Sequence, residues 1–277
     1  MGVEMKNYET PTTSDLRAHF CRIYPQQPGR EPGPRSMEEN NKWRMDRALS
    51  WLEHADECNP ENNPDEKFLC LWISFNSAYG DDENLKPDSW LKKISDHKKI
   101  ENFLRAVVKR DAGGRLADLI RAHKNQFDEI ITNRFLFQPF WKAAYIRNAW
   151  IRWSNPSSEF TSNNLLVENA LAGIMQNNPR TPQSEKQTTI VLQHTFDRLY
   201  TLRNQVFHGG AAYRDGYNRS SFPPANIVLG ACVSEFLKIM LEKMETQKDM
   251  DDWGMVAYPP FLKKPDDETD KNPPQRF

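Results

Sequence analysis

The stretch LYTLRNQVFHGG (199–210) gathers Arg203, Asn204 and His208 within the last two turns of an amphipathic segment. These residue types can bind an anion and move a proton. Arginine is permanently charged and can fork two donors onto phosphate oxygens. An imidazole can take or give a proton near neutral pH, a role open to His208. Asn204 precedes His208 by four residues, so on a helix the two share a face and the amide can orient the imidazole or bind a phosphate oxygen. A proton carrier beside a fixed cation can serve chemistry in which negative charge develops. Arg203 and His208 stand about 140° apart around an ideal helix, an angle that π-like winding of the last turn would close. The same residues also suit an ordinary helix end, where cations complement free carbonyls and Gly209-Gly210 stops the helix. Spacing alone leaves both readings open.

The phrase LYTLRNQVFHGGA resembles the R-N-x-x-x-H signature of the HEPN superfamily, all-helical proteins of prokaryotic defence, toxin and stress systems. DEKFLCLWISFNSAYG (65–80) is similar to the helix that opens the core in one bacterial branch of stand-alone HEPN proteins. FQPFW (137–141), NR followed by an apolar helix (218–240) and DWG…YPP (252–260) also match that branch, so the likeness spans residues 40–262. It implies an all-α, HEPN-like helical bundle with extended or disordered ends. It further implies a metal-independent endoribonuclease whose catalytic Arg203, Asn204 and His208 meet those of a second copy in a homodimer. The expected products are a 2′,3′-cyclic phosphate and a 5′-hydroxyl, from RNA with tRNA among the candidate substrates. The expected setting is defence or stress, toxin-like, with an antitoxin or defence-system protein as a candidate partner and no cofactor. One departure concerns regulation. In HEPN toxins paired with nucleotidyltransferase antitoxins, a modified tyrosine lies two positions after the histidine; here that position is Gly210. The alternative class is a catalytically silent HEPN-like module that binds or assembles.

Other residues are secondary candidates. The segment 134–153 carries Arg134, Lys142, Arg147 and Arg152, no acidic residue, and seven aromatics. It reads either as a basic, stacking surface for single-stranded RNA or as core aromatics with a solvated cationic face. Arg147 and Arg152 are tentative phosphate contacts on the first reading. Arg214 and Arg219, after the glycine pair, are tentative RNA contacts too, although Asn218-Arg219 would equally fix a loop. Asn76, inside an apolar helix, is either a hydrogen-bonded core residue or a lining of the site. Met240 and Met244 read as core or dimer packing.

These groups need helices to hold them, and helical periodicity dominates the chain. Phe68, Trp72, Phe75 and Tyr79 fall at steps of four, three and four. Helices are expected at 36–58 (a capping box of Ser36 and Glu39), 65–80 (capped by Asp65 and stopped by Gly80), 88–110, 114–132, 136–152, 162–176, 184–208 and 223–247. No sustained alternation or hairpin signal predicts a strand. The expected organisation is a flexible arm at 1–36 with one short helix near 16–24, a helical domain at 37–250, and a Pro-rich charged tail at 251–277.

Composition narrows the remaining classes. The net charge of −1 offers no global field to draw nucleic acid, so such contact must be local. Cys21, Cys58, Cys70 and Cys232 form no CxxC pair, and reduced thiols are expected in a chain with a real core. The six histidines show no metal-ligand spacing with cysteine or carboxylate, so no metal site is expected. There is no Walker loop, no GxGxxG after a strand, no GxSxG elbow and no HExxH. The opening residues carry no apolar signal-peptide run, and no uninterrupted apolar stretch approaches about 18 residues. A cytoplasmic protein without membrane attachment is the expectation.

Overall fold

Apolar side chains at helical spacing become helices throughout a computed structural model that describes residues 8–25, 37–80, 95–139, 158–208, 219–246 and Trp253. Among them are nine α-helices and no strand: α1 (Thr13–Ile23), α2 (Met37–Glu57), α3 (Pro64–Tyr79), α4 (Asp96–Arg110), α5 (Arg115–Ala122), α6 (Lys124–Thr132), α7 (Ser158–Gln176), α8 (Pro182–Phe207) and α9 (Phe222–Thr246). The all-α class is as expected. Short 3₁₀ turns at Arg134–Leu136 and Arg219–Ser221 complete the set.

Local chemistry explains the helix starts. The Thr12, Ser95 and Thr181 hydroxyls accept from the backbone N–H three residues on, satisfying a donor the helix itself leaves open. At α3 the cap is Asn63, with Pro64 opening the helix, so Asp65 sits inside the first turn instead of capping it. The expected helix at 114–132 is two, divided at His123, and both halves pack on α7, α8 and α9. Gly114 begins α5 with φ of 69°, and a Cβ there would stand 2.5 Å from the Pro179 carbonyl oxygen. Ser36 and residues 81–94 and 140–157 lie outside the described residues, so the Ser36 capping box and most of the helix expected at 136–152 do too.

The core forms around α9. Val228, Leu229, Cys232, Val233, Phe236, Leu237, Met240 and Leu241 are all buried along it, which places Met240 in the core, with Met244 beside it. Each such side chain contributes roughly 1.5–3 kcal/mol of burial. Among the described residues one helix, spanning Arg219–Thr246, is long and apolar enough to cross a membrane, and 83% of its apolar window is buried in this core. α3 packs along α9 and against α2, α4 and α7 flank α8, and Phe75 joins these layers. Its ring centroid lies 4.6 Å from Phe196 of α8, 5.8 Å from Phe103 of α4 and 6.2 Å from Phe236 of α9. This aromatic knot fixes the position of α8, and with it the residues near its end.

The packed body is wider than the expected domain. α1, inside the expected arm, buries Leu16 and Phe20 against α2 and α9, and Tyr8 donates to Glu235 Oε2 at 3.0 Å. Trp253, inside the expected tail, is buried against Phe103, with the Arg110 guanidinium 4.9 Å from its ring. Arg44, fully buried on α2, closes the other end of α3: its Nη1 donates to the carbonyls of Ala78 (2.8 Å) and Gly80 (2.7 Å). A cation there meets the carbonyls that a helix end leaves without partners.

Candidate functional site at the end of helix α8

α8 is 26 residues long, about 39 Å at the standard rise, and its inner face carries Phe196, Leu199 and Leu202 into the core. Its outer edge near the C-terminus carries Arg203. The half-buried guanidinium lies 4.4 Å from the Phe207 ring and 5.8 Å from the Tyr200 ring, one turn to either side. Nη1 donates to Asn204 Oδ1 at 2.9 Å. Nε is buried without a hydrogen-bond partner among the described residues. Two rings and one amide therefore hold the planar cation, leaving N–H groups uncommitted.

His208 is the C-cap residue and is exposed. Its N–H donates to the Asn204 carbonyl at 3.0 Å, the ordinary i to i−4 bond, so the last turn is α and not π. The loosening that would bring Arg203 and His208 together within one chain does not occur. Asn204 divides its acceptors between the two: the main-chain oxygen takes the His208 N–H, and the side-chain oxygen takes Arg203.

The secondary candidates fare differently. Arg219 is described, and its Nη2 lies 3.7 Å from Asp65 Oδ1, which ties the start of α9 to the start of α3. That geometry favours loop fixing over RNA contact for Arg219. Arg214, Arg147 and Arg152 lie outside the described residues, as does the Gly209-Gly210 pair. Asn76 is half-buried on α3, and its Oδ1 is buried without a hydrogen-bond partner among the described residues. The basic segment begins against α8: Gln205 Nε2 donates to the Phe135 carbonyl at 2.8 Å.

The structure adds groups that spacing did not single out. His97 of α4 sits with its ring 4.3 Å from that of Tyr200, and its Nδ1 lies 3.3 Å from Asp197 Oδ1. His97 and Arg203 thus flank one tyrosine. A cavity of about 400 Å³ opens beside His97, lined by Ser95, Lys98, Gln193, His194 and Asp197 among others. Burial holds His194 below the usual histidine range, and Asn163 Nδ2 donates to its Nδ1 at 3.0 Å, which puts the ring proton on Nε2. Burial also pushes the Tyr79 phenol up, helped by Asp96 and Tyr200 and opposed by Arg203. His194, Asp197, Tyr200 and Arg203 recur every third residue of α8, a stripe visible in the sequence once its helical phase is known. His97 comes from another helix and leaves no local trace.

Arg198 shows the opposite use of the same residue type. It is 2% exposed, its Nη2 donates to Asn163 Oδ1 at 2.9 Å, and its guanidinium lies 4.4 Å from the Phe137 ring and 5.8 Å from Phe160. Burial pulls it down to about 10, so it remains charged at neutral pH. One group among the described residues has the donor set of a metal site: His54, Cys58 and Cys70, contributed by α2, the residue after it, and α3.

Comparisons of the chain with models of known families, with curated proteins and with solved structures find no match.

Proposed function

We propose that this chain is a metal-independent endoribonuclease of the HEPN type, with a site completed by pairing two copies of the α8 end. The supporting observation is the Arg203 guanidinium, held between Tyr200 and Phe207 and tied to Asn204, five residues before an exposed His208. Arg203 and His208 point to different sides of a regular helix, so a single copy does not converge them and a two-fold arrangement supplies the missing partner. Phe207, 52% exposed at the same end, offers apolar area for that contact.

In the reaction one imidazole accepts the proton of the RNA 2′-OH as the 2′-oxygen bonds to phosphorus. The bond from phosphorus to the 5′-oxygen breaks, and that oxygen leaves with a proton given by the protonated imidazole of the second copy. Arg203 carries the charge that builds on the non-bridging oxygens. DNA, which lacks the 2′-OH, is spared. The proposed setting is cytoplasmic, in defence or stress.

The test incubates purified protein with total RNA, with magnesium and separately with EDTA, beside Arg203→Ala and His208→Ala. Cleavage in both buffers, cyclic phosphate ends and loss of activity in both variants are expected. Equal cleavage by all three proteins would refute the site. RNA binding without cleavage by any of them would instead place the chain among silent binding modules.

A further inference from the structure

The hairpin of α2 and α3 carries a chemistry unrelated to α8. His54 lies on the last turn of α2, Cys58 follows one turn later, and Cys70 stands on the second turn of α3. One ring nitrogen of His54 and the sulfurs of Cys58 and Cys70 all lie within 4.8 Å of one another. In a tetrahedral zinc site with sulfur ligands at about 2.3 Å, neighbouring ligand atoms are separated by about 3.8 Å, so contraction by roughly 1 Å closes the set. The movable member is His54, whose side chain is 50% exposed, while both thiols are buried.

We propose that His54, Cys58 and Cys70 form a Cys₂His site for a zinc-like divalent cation that clips α2 to α3. Two thiolates and an imidazole are the ligands of a borderline-soft cation and not of magnesium or calcium. His54 also has a carboxylate partner for its other ring nitrogen. His54 Nδ1 lies 3.1 Å from Glu57 Oε2, and a proton donated there leaves Nε2 as the ligand atom. A disulfide between Cys58 and Cys70 would leave the imidazole without a role, whereas a cation uses all three groups. Lys67, three residues before Cys70, donates to the Ala55 carbonyl at 2.9 Å. The fourth position is left to water.

The spacing His54-x3-Cys58 is one helical turn, but two ligands on one helix do not make a site. Cys70 completes it only because α3 folds back along α2.

The test uses the full chain, reduced, stripped of metal and titrated with Co(II) and then Zn(II). One Co(II) per chain is expected, with a thiolate-to-cobalt charge-transfer band and the intense visible bands of a tetrahedral site, bleached by Zn(II). Cys58→Ser and Cys70→Ser should abolish the charge-transfer band. His54→Ala, at a half-exposed position that leaves the fold intact, should weaken binding more than about tenfold, and Glu57→Gln about tenfold. Far-ultraviolet circular dichroism checks that each variant is folded. Absence of binding to the reduced chain, a six-coordinate spectrum, or wild-type affinity in His54→Ala would overturn the proposal. So would a Cys58–Cys70 disulfide that persists in glutathione buffer and excludes Co(II).

Discussion

Arg198 and Arg203 stand five residues apart on α8, and replacing each with alanine separates support of the fold from chemistry. Arg198 is buried, and its loss strands Asn163 Oδ1 and the Ile131 carbonyl, which it reaches at 2.9 Å and 3.5 Å. An unsatisfied buried polar group costs about 1–3 kcal/mol, and the space left between Phe137 and Phe160 adds a cavity term, so Arg198→Ala should lose about 3–5 kcal/mol. Among the described residues Arg203 has one side-chain hydrogen bond, to its neighbour Asn204, and lies 4.4 Å and 5.8 Å from the Phe207 and Tyr200 rings. A cation–π contact near the surface contributes about 0.5–1 kcal/mol, and Asn204 keeps access to water, so Arg203→Ala should lose no more than about 1 kcal/mol. That corresponds to a Tm shift of roughly 2–4 °C in a chain of this size. Loss of the cation facing the developing phosphorane should lower kcat by about 10²–10³-fold. Urea unfolding followed by circular dichroism gives the first quantity, and cleavage of labelled RNA at conditions where both variants are folded gives the second. If Arg203→Ala unfolds as readily as Arg198→Ala, the guanidinium is structural. If it folds normally and cleaves at the wild-type rate, it is not the clamp.

Three further perturbations follow from the geometry. Phe207→Glu places a charge on a ring that is 52% exposed at the α8 end, so sedimentation should show a monomer with wild-type stability and no cleavage; an intact dimer would refute the pairing of these ends. Glu242 accepts two bonds of 2.7 Å from Arg115, which hold its carboxyl below the usual range. Its contribution is present above the ordinary value of about pH 4.3 and is lost as pH falls through the lowered one. Glu242 is 40% exposed, so Glu242→Gln should cost only about 0.5–1 kcal/mol at pH 7, with the gap closing in acid; a gap that persists at pH 2 would contradict the ion pair. Gly114→Ala forces a side chain onto a φ of 69° with 2.5 Å to the Pro179 oxygen, and should lose about 2 kcal/mol or more in urea unfolding. Unchanged stability there would mean that the turn is not as described.

The helices themselves were largely legible because the signal is local. The α3 stripe of Phe68, Trp72 and Phe75 is buried as its spacing predicts, and Gly80 follows the helix as expected. Its N–H donates to the Asn76 carbonyl, and a Cβ at Gly80 would stand 2.6 Å from that oxygen. The break at His123 was not legible, since no Gly or Pro marks it. Nor was the place of α1 and Trp253 in the core, because terminal segments with few apolar residues read alike whether or not a groove receives them. At the site, Arg203, Asn204 and His208 could be named from spacing. Their division of hydrogen bonds could not, since it depends on the rotamers that Tyr200 and Phe207 permit.

By itself the sequence determined the all-helical class, the course of the long helices α8 and α9 and the residue types near the end of α8. Each of these depends on neighbours within a turn or two, where the 3.6-residue period does the selecting. Only the tertiary structure decided which of two α8 arginines is interior, that His97 shares Tyr200 with Arg203, and that Cys70 joins His54 and Cys58. Those outcomes rest on contacts between helices far apart in the chain. Such contacts arise from packing complementarity across whole faces, and no window of sequence contains both sides.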